Sequence, residues 1–120
     1  MKLGLQIASH KRKRIEYKNE IITLYFIFSR VCRHLHISES EAMKKNRNRP
    51  EVIARQMTIY IARKNLPDTL TKIGNFFGKK HDSALYAVKT IENLLETNRE
   101  FREKNEKFIN SFQVQKSQLD

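Results

Sequence analysis

Apolar residues recur at intervals of three and four along most of this chain, the spacing that gathers side chains on one face of an α-helix. In residues 20–36 the stripe is Ile21, Leu24, Phe28, Val31, Cys32 and Leu35. The Ile, Thr, Tyr and Phe content there would also suit a strand. The period decides for a helix, with Asn19 as N-cap and Glu20 in the first turn. Ser38 opens a short second helix, SESEAMKK, and Glu41 three residues on makes a capping box with it. A third helix over 50–64 carries Val52, Ile53, Met57, Tyr60 and Ile61 on its apolar face, and Pro50 suits its first turn. Arg55, Gln56, Ile59 and Arg63 fall roughly on another face. Thr69 is the expected N-cap of a fourth helix, with Leu70, Ile73, Phe76 and Phe77 turned to the core. A fifth runs from about Asp82 to Thr97 on a stripe of Leu85, Val88, Ile91, Leu94 and Leu95. A last helix over 99–113 points Phe101, Phe108, Ile109 and Phe112 inward, with mixed-sign charge pairs on its solvated face.

The pattern predicts an all-α fold of about six helices. A helical domain over 19–114 is expected between a basic N-terminal tail, 1–18, and a C-terminal tail, 115–120. Its centre is residues 73–91, IGNFFGKKHDSALYAVKTI. Two helices joined by a short glycine-containing turn form a helix-turn-helix, here over 69–97, whose second helix suits a DNA major groove. Gly74 allows a neighbouring helix to approach closely, at about 1 kcal/mol of helix propensity.

Charge strengthens that reading. The chain of 120 residues has a formal net charge of +11. From Glu96 onward acids and bases balance, so the whole excess lies before it. A basic body suits a polyanion. The loop KKNRNR sets Lys44, Lys45, Arg47 and Arg49 among asparagines, which makes it either a clamp on phosphates and the minor groove or a solvated linker. The run His10–Lys11–Arg12–Lys13–Arg14 with Lys18 reads equally as a solvated tail or as an arm adding phosphate contacts.

Other chemistries find little support. Cys32 is the sole cysteine, so no intramolecular disulfide can form, which suits a reducing cytosol. The N-terminal apolar stretch is too short for a signal peptide, and the run over 21–28 is far below a bilayer span. The expected location is cytoplasmic, on the nucleoid. Cys32, His34 and His36 suggest a metal, but His34 points away from the other two on a helix, and zinc needs at least three protein ligands. A buried cysteine beside surface histidines is the better reading. There is no P-loop, GxSxG or HExxH, and His81–Asp82–Ser83 are sequence neighbours rather than a spatial triad. No enzymatic activity, cofactor or small-molecule substrate is expected.

Residues 21–112 resemble the C-terminal DNA-binding domain (domain IV) of the bacterial replication initiator DnaA, a Trp-repressor-like helical fold. The resemblance rests on the order of ITLYFIFSRVCRHLHIS, a short helix, the KKNRNR loop, a helix with the Arg55–Gln56 pair, IGNFFG, a basic-His turn and a helix bearing KTIENLL. It implies double-stranded DNA as the partner, read in the major groove by the helix-turn-helix and in the minor groove by Arg47. It further implies Arg55 and Gln56 as phosphate and base contacts, with Arg63 as a basic contact farther along the same helix. Where the family's turn reads Asp-His-Thr-Thr-Val, this chain has Lys80, His81, Asp82, Ser83 and Ala84, and the loop before it is one residue shorter. Asp82 then either caps the recognition helix or faces the groove.

The expected interface is Lys45, Arg47, Arg49, Arg55, Gln56, Arg63, Lys79, Lys80, His81, Asp82, Ser83, Tyr86 and Lys89. Without an ATPase module the chain is expected to be a free-standing relative rather than an initiator, regulating replication initiation or transcription. The alternatives are an adaptor that keeps the fold but binds protein, or an RNA-binding protein acting through its basic tail.

Overall fold

A computed structural model describes residues 16–17, 20–21 and 23–119, with side chains over 23–112. Six helices appear among the described residues: α1 (Leu24–Leu35), α2 (Glu39–Met43), α3 (Arg49–Asn65), α4 (Leu70–Asn75), α5 (His81–Thr97) and α6 (Arg99–Leu119). The basic run 10–14, Lys18 and Asn19 lie outside the described residues.

The first helix starts later than its apolar period predicts. Glu20–Ile21 forms a two-residue strand, β2, paired antiparallel with Glu16–Tyr17, β1, so Glu20 is not in a first helical turn. Thr23 is the N-cap instead, its hydroxyl accepting from Phe26 N at 3.1 Å. The β-branched Ile21 favours extended backbone, and Thr23 supplies the helix cap. At the other end of α1, His36 takes a left-handed conformation, φ 60°, and closes the helix with bonds to the carbonyls of Arg33 and Cys32.

The predicted caps at Ser38 and Thr69 are present, accepting from Glu41 N at 3.1 Å and Lys72 N at 3.2 Å. The third helix begins at Arg49, with Asn48 as N-cap, one residue before the predicted Pro50. The last helix continues to Leu119, through the segment expected as a tail.

The core is built around α3, which packs against α1, α2, α4, α5 and α6. Ala54, Met57, Ile61 and Ala62 of α3 are fully buried, as are Ile27 and Val31 of α1, Ile73 of α4, Ala84 and Ile91 of α5 and Phe112 of α6. Ile59, expected on a second face with Arg55 and Gln56, is only 2% exposed, because α3 is covered nearly all round. In α5 the buried stripe is Ala84, Ala87, Val88 and Ile91, and Leu85 is exposed. Small alanines let α5 lie close to its neighbours, and that rotates the leucine outward.

The Cys32–His34–His36 group does not converge. Cys32 is buried. His34 is no simple surface histidine: its ring stacks on Phe108 with centroids 4.1 Å apart, and Nε2 lies 2.9 Å from Oδ1 of the buried Asn105. This contact joins α1 to α6. Among the described residues, no three His, Cys, Asp or Glu side chains gather as a metal site.

Candidate nucleic-acid interface

The turn between α4 and α5 is fixed by backbone bonds and aromatic packing. Phe77 N donates to Gly74 O at 3.0 Å, Gly78 N to Asn75 O at 3.0 Å, and Lys79 N to Gly74 O at 2.9 Å. Gly78 has φ +68°, a conformation that a side chain disfavours. A Cβ on Gly74 would sit 2.9 Å from Lys79 O and 3.1 Å from the Ala84 Cβ, so glycine is what lets α5 cross so close to α4. Phe76 and Phe77 meet Phe28 of α1 edge to face at 5.5 and 5.4 Å, pinning the turn to the core.

The second helix of the pair starts at His81, with Lys80 as N-cap and no side-chain cap bond. Asp82 therefore does not cap it. It stands in the first turn with its side chain fully exposed, and Oδ1 lies 3.7 Å from His81 Nδ1. The uncapped first-turn N–H groups and the positive end of the helix dipole suit an anion. Asp82, Ser83, Tyr86 and Lys89 recur at helical spacing on one exposed side of α5, where Tyr86 is 67% exposed.

The basic loop between α2 and α3 is folded around Arg55. Its Nη1 donates to Ala42 O at 2.8 Å and to Lys44 O at 2.9 Å, and Nη2 donates to Asn46 O at 2.7 Å. The residue is 7% exposed. Burial lowers its guanidinium pKa, and the nearby Glu51 charge partly offsets that. Three donors of its fork are thus held by the backbone carbonyls of Ala42 at the end of α2 and of Lys44 and Asn46 in the loop. The loop backbone also turns through Asn46, whose N–H donates to Lys44 O and whose Oδ1 accepts from Asn48 N at 3.2 Å. Lys45, Arg47 and Arg49 are left exposed on its outer side.

Loop and helix meet across a groove of about 360 Å³, lined by Asn46, Arg47, Val52, Arg55, Gln56, Ile59, Lys79, Asp82, Ser83, Tyr86 and Ala87. It thus gathers seven of the expected residues: Arg47, Arg55, Gln56, Lys79, Asp82, Ser83 and Tyr86. Lys80 and His81 are exposed at the start of α5, and Lys45 and Arg49 on the loop, outside the groove lining. Lys89 borders a separate hollow with Tyr60, Glu92 and Asn93. Arg63 is exposed on α3 and lines neither. Sequence reasoning missed Asn46 as a groove residue, although its place between two cations in an Asn-rich loop was a signal. It also missed Val52 and Ala87 of the apolar floor, although Ile59 is expected on the face of Arg55 and Gln56.

No helix among the described residues is long and apolar enough to cross a membrane. The profile of the bacterial DnaA protein helix-turn-helix matches residues 25–91. The chain is 33% identical over 108 residues to the chromosomal replication initiator protein DnaA of Nautilia profundicola, a match covering 89% of this chain and 25% of that protein. It is 34% identical over 92 residues to the protein of that name from Bacteroides fragilis, covering 76% and 19%. To the initiator protein DnaA 2 of Chlamydia pneumoniae it is 35% identical over 75 residues, covering 62% and 17%. The chain therefore spans a quarter or less of the length of these relatives.

Proposed function

The chain belongs to the bacterial DnaA helix-turn-helix family, and on that premise we propose that it binds double-stranded DNA through the face formed by α5 and the basic loop. The supporting observation is the groove that brings Arg47 and Asn46 of the loop to the same side as Asp82, Ser83 and Tyr86 of α5. A helix of this kind enters a major groove, and an arginine on a projecting loop reaches the neighbouring minor groove. Lys45, Arg49, Lys79 and Lys80 flank that face and neutralise phosphates, while Gln56 donates from the groove wall. Arg63 and Lys89 add outlying charge as the duplex runs on.

With Arg47 and these four lysines and arginines engaged, log K falls against log salt with a slope of about −4.5. Anisotropy of a labelled duplex titrated across a salt series measures it. A slope near zero, or no binding at low salt, refutes the reading. Because the relatives are named as chromosomal replication initiators, we further propose that the bound elements belong to replication initiation rather than transcription. Footprinting across chromosomal DNA tests this: sites clustered at an origin support it, and sites confined to promoters refute it. The domain division into a basic tail 1–18 and a helical body from 19 onward is part of the proposal. Removing residues 1–15, which spares the Glu16–Tyr17 strand, should leave the body folded and binding.

A further inference from the structure

We propose that Asp82 is a specificity-determining residue that makes the recognition helix select a cytosine in the major groove, an inference that rests on the DNA-binding reading above. Four observations carry it. Lys80, not Asp82, is the N-cap of α5, and Asp82 forms no cap. The Asp82 side chain is fully exposed, in the first turn of the helix that presents the reading face. Among the described residues its ion-pair contact is the edge of His81 at 3.7 Å, on the neighbouring residue of the same turn. It also shares the groove with Arg47 and Lys79. Those cations supply the field that lets a carboxylate come close to a phosphate backbone.

The chemistry then selects the base. An ionised carboxylate only accepts hydrogen bonds. In the major groove guanine offers N7 and O6, and thymine offers O4, all acceptors that repel it. Adenine has an N6 amine, but its N7 acceptor lies beside it. Cytosine alone presents the N4 amine with no acceptor of its own at that edge. The guanine paired with that cytosine offers O6 and N7 next to it, and these suit a cation such as Lys79. A carboxylate and an ammonium in one groove are therefore complementary to a C·G pair and mismatched to A·T. Ser83, one residue on, is indifferent between bases, since a hydroxyl both donates and accepts.

The test is selection of bound duplexes from a random pool by the unaltered chain, Asp82→Ala and Asp82→Asn, at one fixed salt concentration. Full exposure of the side chain means that neither substitution threatens folding. The unaltered chain should enrich one position for cytosine. Replacing that cytosine should weaken its binding roughly tenfold, and that of Asp82→Ala by no more than about twofold. Asp82→Asn should move the preference at that position toward adenine, whose N6 and N7 match an amide. No cytosine enrichment by the unaltered chain, or enrichment that persists in Asp82→Ala, overturns the inference while leaving duplex binding intact. Failure of the unaltered chain to bind any duplex at low salt overturns the DNA-binding reading, and this inference falls with it.

Discussion

Substituting Arg55 separates two roles that an arginine in this place could play. Its guanidinium donates to three backbone carbonyls, that of Ala42 in α2 and those of Lys44 and Asn46 in the loop, at 2.7 to 2.9 Å. A hydrogen bond from a charged donor contributes about 1.5–3 kcal/mol, and a buried carbonyl left unpaired loses about 1–3. The desolvation of the guanidinium offsets part of this, so Arg55→Ala should destabilise the fold by about 3–4 kcal/mol. For a domain of this size that is a fall in Tm of roughly 15–25 °C. Arg55→Lys keeps the charge but loses the planar fork, since one ammonium cannot span the same three carbonyls. About 2 kcal/mol should go. Urea denaturation measures both, and amide hydrogen exchange over residues 44–48 reports the loop. If Arg55 positions Arg47, Arg55→Lys should weaken duplex binding by about tenfold even where the fold is fully populated, and shift the salt slope toward that of a chain lacking Arg47. A direct phosphate ligand would behave otherwise, with Arg55→Lys retaining stability, loop protection and affinity. Stability within about 1 kcal/mol of the unaltered chain, with unchanged exchange in the loop, refutes the positioning role.

Three further expectations use other parts of the fold. Arg47→Ala removes an exposed side chain, so stability should change by less than about 0.5 kcal/mol. Duplex affinity should fall and the salt slope become shallower by about one, read in the same anisotropy series. Gly74→Ala places a Cβ 2.9 Å from the Lys79 carbonyl, a backbone atom; despite a gain of about 1 kcal/mol in helix propensity, a net loss of about 1–2 should appear in thermal melts. Burial, helped by the charge of Glu39, raises the Cys32 thiol from 9.0 to about 11. A raised folded pKa gives stability that is complete below the unfolded pKa and lost as pH climbs to the folded one. Cys32 should therefore make the fold weaken progressively between about pH 9 and pH 11, by about 2–3 kcal/mol in all. The difference between the pH profiles of the unaltered chain and Cys32→Ala isolates it, and a flat difference refutes the burial argument.

The helices were legible because each has a local signature. Ser38 and Thr69 cap where their hydroxyls can reach the N–H three residues on. Gly74 sits where a methyl group would collide with the next element. Legibility failed where tertiary packing overrides the period. Leu85 fits the apolar stripe of α5 by spacing, yet alanines at 84 and 87 are what the core accepts, because α5 lies too close for larger side chains there. Ile59 does share the groove face with Arg55 and Gln56, as its spacing indicates, but it is buried there because α3 is surrounded. The start of α1 was misplaced because apolar spacing continues through residues 21–24 while the backbone changes from extended to helical at Thr23. Loop and helix were each identified from their charges. That they share one groove could not be read from either alone, since 35 residues or so separate Arg47 from Asp82 along the chain.

What joins those two segments is the central helix, and Arg55 illustrates how. An arginine next to a basic loop invites an electrostatic interpretation, because sequence reports charge but not direction. The fold turns this side chain inward. A guanidinium whose donors face three carbonyls is a brace at the edge of the groove it also lines. Helix α3 therefore holds the loop at its N-terminal end through Arg55 and packs along α5 through its apolar surface. Both halves of the proposed reading face are thus referred to one rigid element. Their separation is set by packing in the core rather than by flexible connections. For a duplex whose grooves have a fixed spacing, this removes conformational freedom that binding would otherwise have to freeze. A core substitution where α5 faces Val52 and Ile59 of α3, such as Ala87→Val, should then reduce duplex affinity by more than the fraction unfolded explains. Affinity tracking folded population alone would show that loop and helix move independently.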